Sequence, residues 1–532
     1  MLFNSYEFIF LFLPTTLIGF FGLGRLGLRK AATIWLVLSS FVFYSYWNPT
    51  YLVLIIFSMV FNYRVGILLG GQYQLEQEYP GNRFTSKLLL GLGITINLIV
   101  LGYYKYANFL VNSVNSLIGT DFNLGTIVLP LAISFFTFQK IAYLVDSYCG
   151  KTQNYKFLDY CLFVIFFPQL IAGPIVHHWE IVPQLAKKNI TKFSPDNLAL
   201  GITIFSLGLF KKVIIADGVA TYATPLFNAV ESGEVLDLLV AWCGALAYTF
   251  QLYFDFSGYS DMAIGIARMF GILLPLNFNS PYKANSIIDF WRRWHITLSR
   301  FLKEYLYIPL GGNRNGELRR YINLMITMLL GGLWHGASWT FVIWGGLHGV
   351  YLTINHLWNS VNKSLDLQFK QSSVVNTIIS RIITFLAVVV AWVFFRAESL
   401  DGAISILKSM AGLNGISVPS SLANKFGQLQ PYLISLGIEF NSASSSGLIN
   451  SYKITVFWLI ILLFIVWFAP NTQEIMSQYK PVLMARKPNR LNNHIWFWKP
   501  TLAWAVILSL VSFIAISKVL SAETSNFLYF QF

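Results

Sequence analysis

Of the seven histidines in the chain, two stand where an imidazole could do acid–base chemistry. His335 lies within Tyr321–Trp358, an apolar stretch broken near Gly331-Gly332-Leu333-Trp334-His335-Gly336. As continuous helix this stretch would extend about 57 Å, enough for two membrane spans with a break between them. His335 is 335 − 321 = 14 residues from the start, or about 21 Å along the helix. An ionisable group at such depth faces a cavity or a partner. A neutral ring bonded to a backbone carbonyl is the bland alternative, and position alone leaves both open. His295 lies in Asp289–Ser299, DFWRRWHITLS, which mixes aromatics with charge and cannot be a simple span. It reads as an interfacial or re-entrant element. Composition permits a basic inner-leaflet anchor with Trp291 and Trp294 as interface aromatics. It equally permits a cationic mouth for an anionic cytoplasmic ligand such as a phosphorylated cofactor.

The remaining candidates are weaker. His348, 13 residues beyond His335 on an apolar helix, favours a structural role. His177, His178 and Glu180 lack the spacing of a standard metal site, so interfacial packing is expected and no metal is assigned. His356 and His494 fall near expected span ends. Gly311–Gly316 is a turn signal without the Lys-Ser/Thr of a phosphate-binding loop, which leaves nucleotide hydrolysis unsupported. Asp146, Asp255 and Asp261 recur in apolar context, and each singly reads as part of a polar network tying helices together.

The elements that carry these residues are membrane helices. The chain has 532 residues, 55% hydrophobic and 11% charged, with mean hydropathy +0.59. Soluble domains carry about a quarter charged residues. Runs such as Ile454–Ala469 and Thr501–Ile516 suit a bilayer core. Strand alternation is absent, which argues against a barrel. The net charge is +14, but its lysines and arginines lie in loops between apolar runs. That is the positive-inside pattern rather than a nucleic-acid surface. Cys149, Cys161 and Cys243 read as buried small hydrophobes. The first apolar run precedes Arg25, Arg29 and Lys30, and so reads as a retained span with an outside N-terminus.

Loop charge then orders the chain. Basic loops at 25–30, 151–156, 187–192, 283–320 and 480–499, and the return at 359–372, read as inside. Residues 105–126, 218–237 and 413–452 read as outside. Leu158–Val176, interrupted by Pro168, Gly173 and Pro174, has inside flanks on both sides. It reads as a re-entrant hairpin, since broken backbone is tolerated where protein buries it. The total is roughly 11–13 membrane segments of about 20 residues, with no internal repeat.

RRWHITLS at 292–299 and GGLWHGASW at 331–339 resemble the membrane-bound O-acyltransferases, which pair a near-invariant histidine with an upstream polar residue. Further stretches sharpen the likeness to the bacterial alginate O-acetyltransferase (AlgI-like) branch. They are PLAISFFTFQKIAYLVDSY at 130–148, FFPQLIAGPI at 166–175, FDFSGYSDMAIG at 254–265, NFNSPYKANSIIDFWRRWH at 277–295, WVFFRAES at 392–399 and the terminal FLYFQF. The resemblance covers essentially the whole chain.

It implies an all-α polytopic membrane protein, a helical shell around a central tunnel, built as a single domain over 1–532. The motif-rich core would be about 127–400, followed by a two-span extension with an outer loop at 413–452 and an inner loop at 470–499. The implied reaction is acyl transfer from a cytoplasmic thioester, acetyl-CoA, towards an extracytoplasmic polysaccharide. His335 would act as general base, or in a less favoured variant as a covalent acyl carrier. His295 would orient the donor or stabilise the oxyanion. By charge position, Arg292, Arg293, Arg300 and Lys303 would meet the donor's phosphates, beside Trp294. Trp334, His348, Asp255, Ser257, Asp261 and Gln169 are candidates for the tunnel lining. No covalently bound cofactor is expected. The resemblance places the protein in the bacterial plasma (inner) membrane with a periplasmic acetyltransferase partner of the SGNH or AlgX/AlgJ type. Two readings compete: D-alanyl transfer to teichoic acid from a carrier protein, and polysaccharide transport without acyl chemistry. The long portion beyond WVFFRAES argues against the first, and the lack of repeated halves against the second.

Overall fold

The computed structural model describes all residues except 79–82, 153–154, 172, 365–373, 421–422, 424, 426, 436, 442–451, 484–496, 522–524, 526 and 529–532. His494, much of the expected inner loop and most of the FLYFQF terminus lie outside the described residues. The described chain falls into two compact units, each assembled from separate stretches of sequence.

The first unit comprises Met1–Phe210, Ser257–Asn277 and Thr472–Gln531. Its helices are α1 (Leu13–Arg25), α2 (Arg29–Ser45), α3 (Tyr51–Glu78), α4 (Arg83–Leu101), α5 (Ala107–Ile118), α6 (Ile133–Tyr148), α7 (Phe157–Ile165), α8 (Phe167–Leu170), α9 (His178–Leu185) and α10 (Pro195–Phe210). Helix α6 packs on α3 and α4, and the C-terminal helix Leu502–Ser521 packs on α10. Buried amides stitch α3 to α4: Asn62 Nδ2 donates to Asn97 Oδ1 at 3.1 Å, and Asn97 Nδ2 returns the bond at 2.7 Å. Without water, such groups must find partners across helices.

The interrupted stretch 158–176 is not one helix. Helix α7 ends at Phe166, where the backbone turns out of helical geometry at ψ 108°. Its nine residues extend only about 13 Å, too short to cross a bilayer.

Six helices among the described residues are long and apolar enough to span: Phe8–Arg25, Tyr51–Gln74, Phe84–Ile118, Pro195–Glu231, Val374–Arg396 and Leu502–Ser521. Arg29–Ser45 and Tyr452–Phe468, at 17 residues each, are shorter, which is one reason why length and apolarity find fewer spans than the loop pattern suggests. Cys161 and Cys243 are buried as expected. Cys149 is exposed, because it caps the C-terminal end of α6 instead of lying inside it.

The second unit comprises Lys211–Phe256 and Phe278–Asn471. It holds α11 (Asp217–Glu231), the first part of α12 (Leu238–Met269), α13 (Ile287–Trp291), α14 (Ile296–Leu302), α15 (Gly316–His335), α16 (Trp339–Ser364), α17 (Val374–Arg396) and α18 (Leu400–Met410). The outer loop adds a small two-stranded sheet to the helical structure. Strands β1 (Ile416–Pro419) and β2 (Ile438–Asn441) pair in parallel, Ile416 opposite Ile438. The pair is tied to the start of α12 by the Ser417 hydroxyl donating to the Asp237 carboxylate.

Helices α15 and α16 pack most extensively and form the expected broken hairpin, with the break at 336–338. Glycine makes the contact possible. A Cβ on Gly345 would stand 2.3 Å from the Met328 carbonyl oxygen, and one on Gly332 would stand 2.2 Å from that of Phe341. Small residues let membrane helices approach this closely. Gly345→Val should therefore push the helices apart and destabilise the protein by at least about 1–3 kcal/mol. A Cβ on Gly346 meets only Leu329 Cδ2 at 3.5 Å, an ordinary contact, so Gly346→Ala should be near neutral. Thermal unfolding in detergent checks both; equal melting of the two variants would contradict the close-contact account.

Candidate active site

His295 and His335 both belong to the second unit, and the fold brings their rings to a centroid separation of 6.3 Å. Both are buried, at 0% and 3% exposure. His335 is the last residue of α15, directly before the hairpin break. Its ring is boxed by Trp334 at 4.9 Å, Trp344 at 5.0 Å and Phe395 at 5.2 Å.

His295 sits between two short helices, not within a span. Ser286 caps α13 by accepting from the Asp289 backbone N–H at 3.1 Å. The chain then turns sharply, with the Trp294 N–H bonded to the Phe290 carbonyl at 2.8 Å. His295 follows in the left-handed region, φ 40° and ψ 54°, before α14 begins. A non-glycine residue there costs about 1–3 kcal/mol, and such strain concentrates at functional sites. Phe256 meets the His295 ring edge-on at 4.8 Å and Trp334 at 6.1 Å. Two imidazoles in a buried aromatic setting can each bind, accept or donate a proton.

The sequence-selected basic residues separate into different settings. Arg292 and Lys303 are exposed. Arg293 is engaged locally: its Nε donates to Asp289 Oδ1 at 2.9 Å, and its carbonyl accepts from the Asn279 N–H at 2.9 Å. Arg300 is half-buried. Trp294 is fully buried, stacked on Phe290 at 5.7 Å and packed against Trp392 at 4.8 Å. It is a core side chain, neither an interface aromatic nor open to a cytoplasmic ligand.

Of the lining candidates, Trp334 touches both histidine rings. His348 is buried in the same unit and accepts a hydrogen bond from the Trp291 indole N–H at 3.2 Å. Asp255 is paired with a lysine the sequence reading passed over. Lys212 Nζ lies 2.7 Å from both Asp255 and Asp217, with side-chain exposures of 2%, 1% and 23% for Lys212, Asp255 and Asp217. The π-helical turn Lys211–Ala216 presents Lys212 to them. A lysine inside the apolar run 200–216 was the available signal, since such a group needs an acidic partner. Gln169, Ser257 and Asp261 belong to the first unit. There Asp261 accepts from Thr472 at 2.6 Å and Gln473 at 3.1 Å, and Gln169 donates to the Phe163 carbonyl. Asp146, in the same unit, lies 3.3 Å from His178 Nε2, whose Nδ1 is 2.9 Å from the Tyr155 hydroxyl. Both carboxylates thus tie elements together, as their apolar surroundings suggest.

The model of the MBOAT, membrane-bound O-acyltransferase family, matches residues 147–396, which include both histidines. The peptidoglycan O-acetyltransferase of Helicobacter pylori is 47% identical over 444 residues, covering 79% of this chain and 81% of the relative. The chain belongs to the membrane-bound O-acyltransferase family. It is an acyltransferase and a multi-pass membrane protein. A probable alginate O-acetylase of Pseudomonas aeruginosa is 44% identical over 415 residues, covering 77% of this chain and 75% of the relative. A teichoic acid D-alanyltransferase of Bacillus subtilis is 29% identical over 276 residues, only 50% of this chain and 69% of the relative. In this acyltransferase the two best-supported candidates therefore share one buried aromatic site, inside the segment that the family model matches.

Proposed function

We propose that this enzyme moves an acetyl group from a cytoplasmic thioester, acetyl-CoA, to an extracytoplasmic polysaccharide, working in the bacterial inner membrane. The observation that carries the reading is the buried histidine pair, rings 6.3 Å apart, in a chain similar to relatives named for O-acetylation of peptidoglycan and alginate. Donor and acceptor lie on opposite sides of the membrane, so a site reached from both sides solves the transport problem. His335 takes the proton from the attacking hydroxyl as its oxygen bonds to the thioester carbonyl carbon. The carbon–sulfur bond breaks, and the thiolate recovers a proton through the imidazolium. His295 orients the carbonyl and stabilises the oxygen as it becomes anionic. The hydroxyl belongs either to the polysaccharide or to a serine of a periplasmic acetyltransferase partner. The D-alanyl alternative is less favoured, because the D-alanyltransferase relative matches only 50% of this chain.

Arg292 and Lys303, both exposed, are the residues we assign to the donor's phosphates. Arg292→Glu with Lys303→Glu should raise the KM for acetyl-CoA by about tenfold or more at low salt, with a smaller effect on kcat. An unchanged KM across ionic strength would remove that assignment. The reading as a whole is tested in membrane vesicles supplied with acetyl-labelled acetyl-CoA. Label in polymer or in a periplasmic protein supports it. Transfer only from a D-alanyl carrier protein supports the alternative.

A further inference from the structure

His348 does no chemistry in the mechanism above, yet it is fully buried in the unit that holds the histidine pair. An aromatic cage surrounds it: Phe290 stacked at 6.0 Å, Trp291 at 5.2 Å, Trp344 at 4.8 Å and Trp392 at 6.2 Å. A phenyl ring would fill such a cage without burying polar nitrogens. What the imidazole adds is the bond from the Trp291 indole, Nε1 to Nδ1 at 3.2 Å. An indole N–H can only donate, so Nδ1 is unprotonated and the ring is neutral with its hydrogen on Nε2. Nε2 has no hydrogen-bond partner among the described residues. Keeping a buried donor unsatisfied carries a cost, so the Nδ1 bond must be worth it.

The position of that bond matters. Trp291 ends α13, four residues before His295, and the turn between them delivers His295 to its left-handed conformation. On the other side, Trp344 meets His348 at 4.8 Å and His335 at 5.0 Å. His348 thus touches the segment bearing one histidine and the side chain boxing the other. We propose that His348 is a positioning residue: by accepting from Trp291 it holds the α13 turn against α16 and sets the register between His295 and His335. This rests on the acyl-transfer role proposed above for that pair.

Side-chain amides separate the two ring nitrogens. In His348→Asn the amide oxygen can stand where Nδ1 stood, whereas His348→Gln carries its oxygen out towards the Nε2 position. In purified full-length protein, His348→Leu should lower kcat about 100-fold, as expected for a reacting group displaced by about 1 Å, with little change in KM for the donor. His348→Gln should resemble His348→Leu, and His348→Asn should stay within about tenfold of wild type if the bond alone sets the geometry. Trp291→Phe should reproduce the loss and add nothing in the His348→Leu background. The indole N–H vibration of Trp291, assigned by difference against Trp291→Phe in ultraviolet resonance Raman spectra, reads the bond without acetyl transfer. It should shift in His348→Leu and persist in His348→Asn. An active Gln variant beside an inactive Asn variant would overturn the proposal, as would a wild-type rate in Trp291→Phe. If wild-type protein transfers no acetyl while the Raman bond is intact, it is the proposed function that fails, and the spectral contrast between Asn and Leu still decides whether the bond exists.

Discussion

Replacing His335 with alanine is expected to lower acetylation of the exported polymer by about 100- to 10,000-fold, the range for losing a general base. The protein should remain in the membrane at normal level, because the ring packs among aromatic side chains at the end of α15. Its box of Trp334, Trp344 and Phe395 would be left with a small void. His295→Ala should also lose most activity. The double variant should be no worse than the more damaged single variant, since groups acting as one unit are not additive. Polymer acetyl content, measured against immunodetected protein, checks this. Normal acetylation in His335→Ala would remove it from the reaction.

The second large effect concerns stability. Lys212→Met would leave Asp255, whose side chain is 1% exposed, as a buried carboxylate without its 2.7 Å partner. Breaking one side of a buried ion pair costs about 3–5 kcal/mol. Asp217 is more exposed, at 23%, so most of the penalty falls on Asp255. Removing both charges in Lys212→Met/Asp255→Leu should recover much of the loss, because an apolar pair of similar volume tolerates the same site. Activity should fall with stability in the single variant, since Asp255 directly precedes Phe256, whose ring meets His295 at 4.8 Å. Unfolding midpoints in a denaturing detergent series measure these differences. A Lys212→Met protein as stable as wild type would show that the triad contributes nothing.

Much of the site was legible because membrane burial makes polar residues conspicuous. The burial of His335 was foreshadowed by the apolar run around it, and the hairpin break at 336–338 by the glycines beside it. The charged and aromatic run at 289–299 could not be a span, and the structure resolves it as two short helices with His295 between them. The contacts that hold these pieces were not legible. Trp291 and His348 are 57 positions apart, and Lys212 and Asp255 are 255 − 212 = 43 apart. Neither pair leaves a periodic trace, and the π-helical turn that aims Lys212 has no simple pattern. Trp294 shows the opposite failure. Its charged neighbours suggested an interface, but the turn at Arg292 and Arg293 sends it into the aromatic core. The parallel strands β1 and β2 were likewise hidden, because a Ser-, Asn- and Gly-rich loop gives no sustained alternation.

The most direct test uses the purified protein in lipid nanodiscs with labelled acetyl-CoA and a soluble polysaccharide fragment, with periplasmic partner added and omitted. Free thiol release and label transfer are followed together. Wild-type protein should release one thiol for each acetyl moved, and His335→Ala, folded to the same melting profile, should do neither above background. Equal rates of coupled thiol release and transfer from wild type and His335→Ala would contradict the account at its centre.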